Sequence, residues 1–281
     1  MKYTIHTLFV FSFLMMNLQA KENDSLLIVG KKNKIVSRQL KEERSIWIHL
    51  PENYHDKRAI NHHYPVIYVL DAELNFLTVT GVQAALHRGG RSRKPDAIIV
   101  GIENTDRTRD LTPTPAVSER GHATLTNSGG GERFVSFLEK ELLPLVDSQF
   151  RTSKRRVLIG HSFGGLTTIN IFLKHTQLFS DYLAIDPSLW WDDSKLLTEA
   201  KEILQRSQFD HVGLFVASAG MEKNINPNHE KRLSLPDMLK ETTQPTLRWH
   251  YRRFDEENHG SVVLPALFYG LRFLYQDNYQ P

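Results

Sequence analysis

The chain has 281 residues, 40% of them apolar and 24% charged, which excludes a disordered, collagen-like or coiled-coil polypeptide. Lys and Arg number 35 against 32 for Asp and Glu, an excess too thin for the dense basic stripe that a nucleic-acid partner requires. Cysteine is absent, so disulfides, thiolate metal sites and a cysteine nucleophile are excluded, and covalent catalysis would fall to Ser, Thr, Lys or a carboxylate.

Residues 1–20 read MKYTIHTLFVFSFLMMNLQA, with Lys2 as the positive start, an apolar run from Leu8 to Met16, and Ala20 as a small residue before a polar stretch. This is the layout of a cleavable secretory signal peptide, and the absence of Arg disfavours a transit peptide. The run is too short to span a bilayer, which takes about 20 apolar residues. The expected mature chain, residues 21–281, is then a soluble periplasmic or secreted domain with no membrane insertion, folding without disulfide staples.

Short runs rich in β-branched residues predict strands at 34–37, 45–50, 66–70, 97–101, 156–159, 182–185, 213–217 and 246–252. Two of them, VIYVL at 66–70 and AIIVG at 97–101, are apolar without alternation, as strands of a parallel sheet buried on both faces must be. Helical spacing falls between them. Residues 132–146 place Phe134, Val135, Leu138, Leu142, Leu145 and Val146 on one face, and helices are also expected at 163–175, 196–205 and 262–275. Alternating strands and helices over this length predict one α/β domain, with a mostly parallel eight-stranded sheet and helices on both faces. Residues 103–131 form a long polar connection with Pro113, Pro115 and the run Ser128-Gly129-Gly130-Gly131. It follows a strand's C-terminal end, the rim where open α/β sheets bind ligands.

The sharpest motif is Gly160-His161-Ser162-Phe163-Gly164-Gly165, a G-x-S-x-G between a strand-like run and an apolar helix. That context is the nucleophile elbow, in which a strained turn lifts the serine hydroxyl above the sheet and a Cβ at either flanking glycine would clash. Ser162 is therefore the expected nucleophile. Its base should follow the last strand, and of His229, His250 and His259 only His259 lies between that strand and the final helix. The acid is expected at Glu222, the first carboxylate after the 213–217 strand, with Asp186, one strand earlier, as the competitor. The oxyanion donors are expected to be the backbone N–H of Phe163 and one from the 70–73 loop.

With these pieces placed, the chain resembles the esterase D-like branch of the α/β-hydrolases, and within it the ferric-enterobactin esterases and their periplasmic trilactone-hydrolase relatives. The matching segments are SIWIHLPENY at 45–54, YPVIYVLDAE at 64–73, GIENTDRTRDLTP at 101–113, GHSFGG at 160–165, DPSLWWD at 186–192 and NHGSV at 258–262. The resemblance implies an α/β-hydrolase fold, Ser162 as nucleophile, His259 as base, and the Glu73 N–H as the second oxyanion donor. It also implies that Arg107, Arg109, Trp190 and Trp191 lie near the substrate. In an extended loop, Arg107 and Arg109 would share a face and could hold catecholate oxygens, or they form a solvated loop neutralised by Asp106 and Asp110. Trp190 and Trp191 would wall an aryl pocket or pack over the helix that follows. The expected activity is hydrolysis of a carboxylic ester, foremost a catecholate siderophore lactone in iron-free or ferric form. No protein-bound metal or organic cofactor is called for, since any iron would arrive with the substrate. Acylated glycans, feruloyl-type esters, small acyl esters or thioesters are the alternative substrates, and a non-catalytic binding protein on a hydrolase scaffold is the third reading.

Overall fold

The computed structural model describes residues 27–90, 94–116, 127–220, 234–241 and 246–276. The signal-peptide segment and Glu222 lie outside them. Eight strands form one sheet: β1 (Lys31–Ser37), β2 (Glu42–His49), β3 (Tyr64–Leu70), β4 (Ile98–Ile102), β5 (Thr152–His161), β6 (Asp181–Ile185), β7 (Gly213–Ala219) and β8 (Arg248–Phe254). Their order is β1-β2-β4-β3-β5-β6-β7-β8. The β1–β2 and β2–β4 pairs are antiparallel and every other pair is parallel. All eight expected strands are present, and the mostly parallel architecture is the one the unbroken apolar runs required.

The helices are α1 (Ala72–His87), α2 (Arg107–Leu111), α3 (Gly131–Phe137), α4 (Leu143–Gln149), α5 (Phe163–Lys174), α6 (Trp191–Arg206), α7 (Leu235–Glu241) and α8 (Val263–Leu274). A π-turn over Leu138–Leu142 joins α3 to α4, so the single helix expected at 132–146 is continuous but widened just before Pro144. Proline lacks the N–H and crowds the carbonyl four residues back, and the wider turn relieves that crowding.

β3 shows how the core divides. All seven of its residues are buried. Val66, Tyr68 and Leu70 face one core with Phe134, Leu138 and Phe172, while Ile67 and Val69 face the other with Phe76, Val79, Leu267 and Leu271. The two-residue period of the strand sends alternate side chains to opposite faces, so helices must cover both.

The connection after β4 is not the extended loop the sequence suggested. It contains α2, and a buried ionic network fastens it to β2. Arg44, 1% exposed, donates to Asp110 at 2.5 Å and to Glu42 at 2.9 Å. Arg109 donates to Asp110 at 2.7 Å and to Glu42 at 2.6 Å. The glycine run closes on the same place: the Gly130 N–H donates to the Arg109 carbonyl at 2.8 Å, and a Cβ at Gly130 would sit 2.7 Å from Arg109 Cγ.

Removing one partner of such a network leaves a buried charge uncompensated, which typically costs about 3–5 kcal/mol. Asp110→Asn should lower unfolding free energy by about 3 kcal/mol, since Glu42 still holds both arginines. Urea denaturation measures this, and an unchanged midpoint would remove the network from the account.

Candidate active site

Ser162 stands between β5 and α5 with φ 61° and ψ −118°, a backbone conformation that L residues avoid. The turn is forced shut by its neighbours. A Cβ on Gly160 would fall 2.1 Å from the Gly164 carbonyl oxygen, whereas one on Gly164 would meet Asp71 Oδ2 at 3.1 Å. The Ser162 N–H donates to the Ile185 carbonyl at 3.0 Å, and its own carbonyl accepts from the Ser188 N–H at 3.1 Å. The hydroxyl lies 3.3 Å from Ser188 Oγ.

His259 lies in the turn between β8 and α8, where the base was expected. Its Nδ1 is 2.6 Å from Asp186 Oδ2. Asp186 follows β6, not β7, and is the competitor that the sequence reading ranked below Glu222. The carboxylate that meets the imidazole is Asp186, held in place by backbone, while the first-ranked Glu222 lies outside the described residues. The Asp186 N–H donates to the Ala217 carbonyl at 2.8 Å, and Asp186 Oδ1 accepts from the Ala219 N–H at 3.1 Å. Its φ of 40° turns the carboxylate away from the strand direction and toward His259.

The expected oxyanion donors belong to two helix N-termini. Phe163 opens α5 and Glu73 lies in the first turn of α1, so both N–H groups fall among those with no intrahelical acceptor. An ion pair ties the two helix starts together. Asp71, 1% exposed and with φ 54°, precedes α1 and accepts from Arg107 Nε at 2.7 Å and Nη2 at 3.1 Å. The Arg107 guanidinium lies 5.2 Å from the centre of the Phe163 ring. Asn104 Nδ2 bridges Asp71 Oδ1 and Glu73 Oε1, each at 2.6 Å.

Arg107 and Arg109 do not share a face. Residues two apart on a helix point about 200° apart, and α2 sends Arg107 to the Ser162 rim while Arg109 is committed to Glu42 and Asp110. The tryptophans also divide. Both rings approach Phe163, at 6.1 Å for Trp190 and 5.2 Å for Trp191. Trp191 is 3% exposed and donates its indole N–H to the Thr114 carbonyl at 3.0 Å, which makes it packing for the rim; Trp190 remains partly open.

One residue of the site was not singled out in the sequence. His161, the variable position before the nucleophile, places Nε2 2.8 Å from the His259 carbonyl oxygen. Its ring lies 4.4 Å, centre to centre, from the His259 ring. Burial, aided by the neighbouring His259, pushes the His161 imidazole below its ordinary value of 6.5.

That depression has a sign. The unfolded chain takes up a proton at His161 before the folded one does, so the stabilisation is complete above about pH 6.5 and is lost as pH falls through the lower folded value. The wild-type protein should therefore lose more stability than His161→Gln between about pH 7.5 and about pH 5.5. Urea midpoints at the two pH values test this, and equal losses in both proteins would contradict it. At the turn itself, Gly160→Ala should cost more than Gly164→Ala, the former reaching or passing the upper end of the roughly 1–3 kcal/mol typical of overpacking. Thermal melting of the two variants gives the order.

A family model described as Putative esterase matches residues 37–259. The chain is 32% identical over 178 residues to the siderophore triacetylfusarinine C esterase of Aspergillus fumigatus, covering 59% of this chain and 58% of that protein's length. It is 29% identical over 230 residues to the ferri-bacillibactin esterase of Bacillus subtilis, covering 75% and 78%. Among solved structures, an IroE-like serine hydrolase from Shewanella oneidensis superposes with a TM-score of 0.80 at 36% identity, over 88% of this chain and 80% of that one. The BES protein from Bacillus cereus superposes with a TM-score of 0.76 at 25% identity, over 92% and 100%. With the family model spanning both Ser162 and His259, and with relatives that share its sheet and helices, this chain belongs to the Putative esterase family and carries the α/β-hydrolase fold.

Proposed function

We propose that the protein is a serine esterase that opens a lactone or ester bond of a catecholate siderophore, with Ser162 as nucleophile, His259 as base and Asp186 as the acid. The observation that carries the reading is the His259–Asp186 hydrogen bond standing beside the strained Ser162 turn. The relatives that bear siderophore-esterase names support the substrate class.

In this mechanism the Ser162 hydroxyl attacks the ester carbonyl as His259 Nε2 takes its proton. Asp186 keeps the other imidazole nitrogen protonated and stabilises the imidazolium that forms. The carbonyl oxygen, now an oxyanion, is received by the N–H groups of Phe163 and Glu73, at the positive ends of α5 and α1. His259 returns the proton to the leaving alkoxide, and a water molecule activated the same way releases the acyl group from Ser162. The Ser188 hydroxyl, 3.3 Å from that of Ser162, stands beside the attacking oxygen. The exposed edge of Arg107 and the open face of Trp190 would receive a catechol, the guanidinium through its phenolate oxygens and the indole by stacking. Iron, if bound, belongs to the substrate. Residues 1–20 would direct the chain out of the cytoplasm, to the periplasm or beyond, where the mature domain of residues 21–281 would act.

The experiment is turnover of an iron-free and a ferric catecholate trilactone, followed by mass spectrometry of the products. Ser162→Ala should abolish product and fluorophosphonate labelling together. Asp186→Asn should lower kcat by roughly 10²–10⁴-fold, and Glu222→Gln should leave it near wild type. Trilactones left intact while acetyl or feruloyl esters turn over would replace the siderophore reading. Labelling unchanged by Ser162→Ala would overturn the mechanism.

A further inference from the structure

The catalytic reading explains why an imidazole sits at residue 259 and why a carboxylate faces it. It does not explain the second imidazole packed beside the first. His161 ends β5 immediately before Ser162, and its ring turns to the His259 loop, not toward the serine hydroxyl. A carbonyl oxygen can only accept, so the His161 atom 2.8 Å from the His259 carbonyl must carry a proton. In a neutral imidazole this fixes the tautomer: Nε2 bears the hydrogen and Nδ1 the lone pair.

The contact has a mechanical consequence. His259 is 41% exposed at its side chain and belongs to a turn held by the Gly220 N–H on the Glu257 carbonyl at 3.1 Å and by the Asn258 side chain, which accepts from the N–H groups of Gly260 and Ser261. Asp186 takes the imidazole at Nδ1. His161 adds two contacts: its N–H holds the His259 carbonyl, and its ring lies 4.4 Å, centre to centre, from the His259 ring, tilted by 38°. A neutral ring in that place supports the imidazole without repelling the positive charge that His259 acquires during reaction.

Resting on the reading of His259 as base, we propose that His161 is a positioning residue, which aims the His259 imidazole at Ser162 through a hydrogen bond to its backbone and a tilted ring contact. A misplacement of about 1 Å at a reacting group costs on the order of 10²-fold in rate, so the effect belongs in kcat and not in KM.

Two variants separate the two contacts. In His161→Gln the amide NH₂ reaches the position of Nε2 and keeps the donor but not the ring; His161→Phe keeps a ring but not the donor. The expected result is kcat lowered at least tenfold in His161→Phe and recovered to within a few-fold of wild type in His161→Gln, with KM unchanged in both. Wild-type kcat in both variants, or a change confined to KM, would overturn the proposal. Nitrogen-15 NMR of the imidazoles in the wild-type protein provides a measurement that needs no variant to fold. His161 should show the Nε2–H tautomer at about pH 7.5, and the Nδ1–H tautomer or an imidazolium there would overturn it. The two readings fail separately. A wild-type protein that hydrolyses no ester and takes no fluorophosphonate removes the esterase reading, while the tautomer still decides whether His161 holds the His259 carbonyl.

Discussion

Three neighbouring parallel strands end in the same strained way, and the site depends on it. β3 runs into Asp71 at φ 54°, β5 into Ser162 at φ 61°, and β6 into Asp186 at φ 40°. A non-glycine residue in that region costs of order 1–3 kcal/mol and persists only where its surroundings over-determine it. Here the sheet does so. Ser162 is gripped from the β6 side by Ile185 and Ser188, Asp186 from the β7 side by Ala217 and Ala219, and the Asp71 carbonyl accepts from Leu74 and Asn75 as α1 begins. Each strained residue redirects the chain sharply, and each carries one part of the proposed mechanism: the oxyanion loop, the nucleophile and the acid.

The wall of the site depends on electrostatics far from it. Arg107 can bridge Asp71 and Phe163 only because α2 stands where it does. α2 is held by Arg44 and Arg109 against Glu42 and Asp110, on the antiparallel side of the sheet. The Arg109 hydrogen bonds hold the Glu42 carboxyl below its usual range, so this anchor persists through mildly acidic conditions. The basic residues of the 107–109 stretch therefore have two jobs. Arg109 is spent on building the rim, which leaves Arg107 as the guanidinium beside the nucleophile's neighbour.

What could be read from the sequence followed physical necessity. Parallel strands buried on both faces need unbroken apolar runs, and VIYVL and AIIVG have them; a nucleophile turn needs Gly160, and GHSFGG supplies it. α1 escaped notice because its pattern is blurred. Leu74 and Leu77 are exposed at 69% and 64%, so apolar residues lie on both its faces, and Thr78, Val79, Thr80 and Gly81 are poor helix formers. α2 is too short at five residues to show a period. An extended reading of residues 107–109 then paired two arginines that the helix separates. Chain order alone cannot tell which strand end the histidine loop leans over: Glu222 and Asp186 both satisfy the order Ser, acid, His, and it is the structure that brings Asp186, at a backbone φ of 40°, to the imidazole.

Placing the carboxylate after β6 changes how the base must be carried. With strands about 4.8 Å apart, β8 lies roughly 14 Å from β5, too far for a histidine at its end to stand over the nucleophile unaided. The turn that bears His259 has to lean across the ends of β7 and β6. Each strand beneath it contributes to the span: β7 supplies the Ala219 N–H that steadies Asp186, β6 supplies Asp186 itself, and β5 supplies His161. A loop cantilevered over three strands is tied down at its far end, at the proposed base. The residue before Ser162 is thus tied to the His259 turn, although the motif writes it as a position where any side chain is allowed.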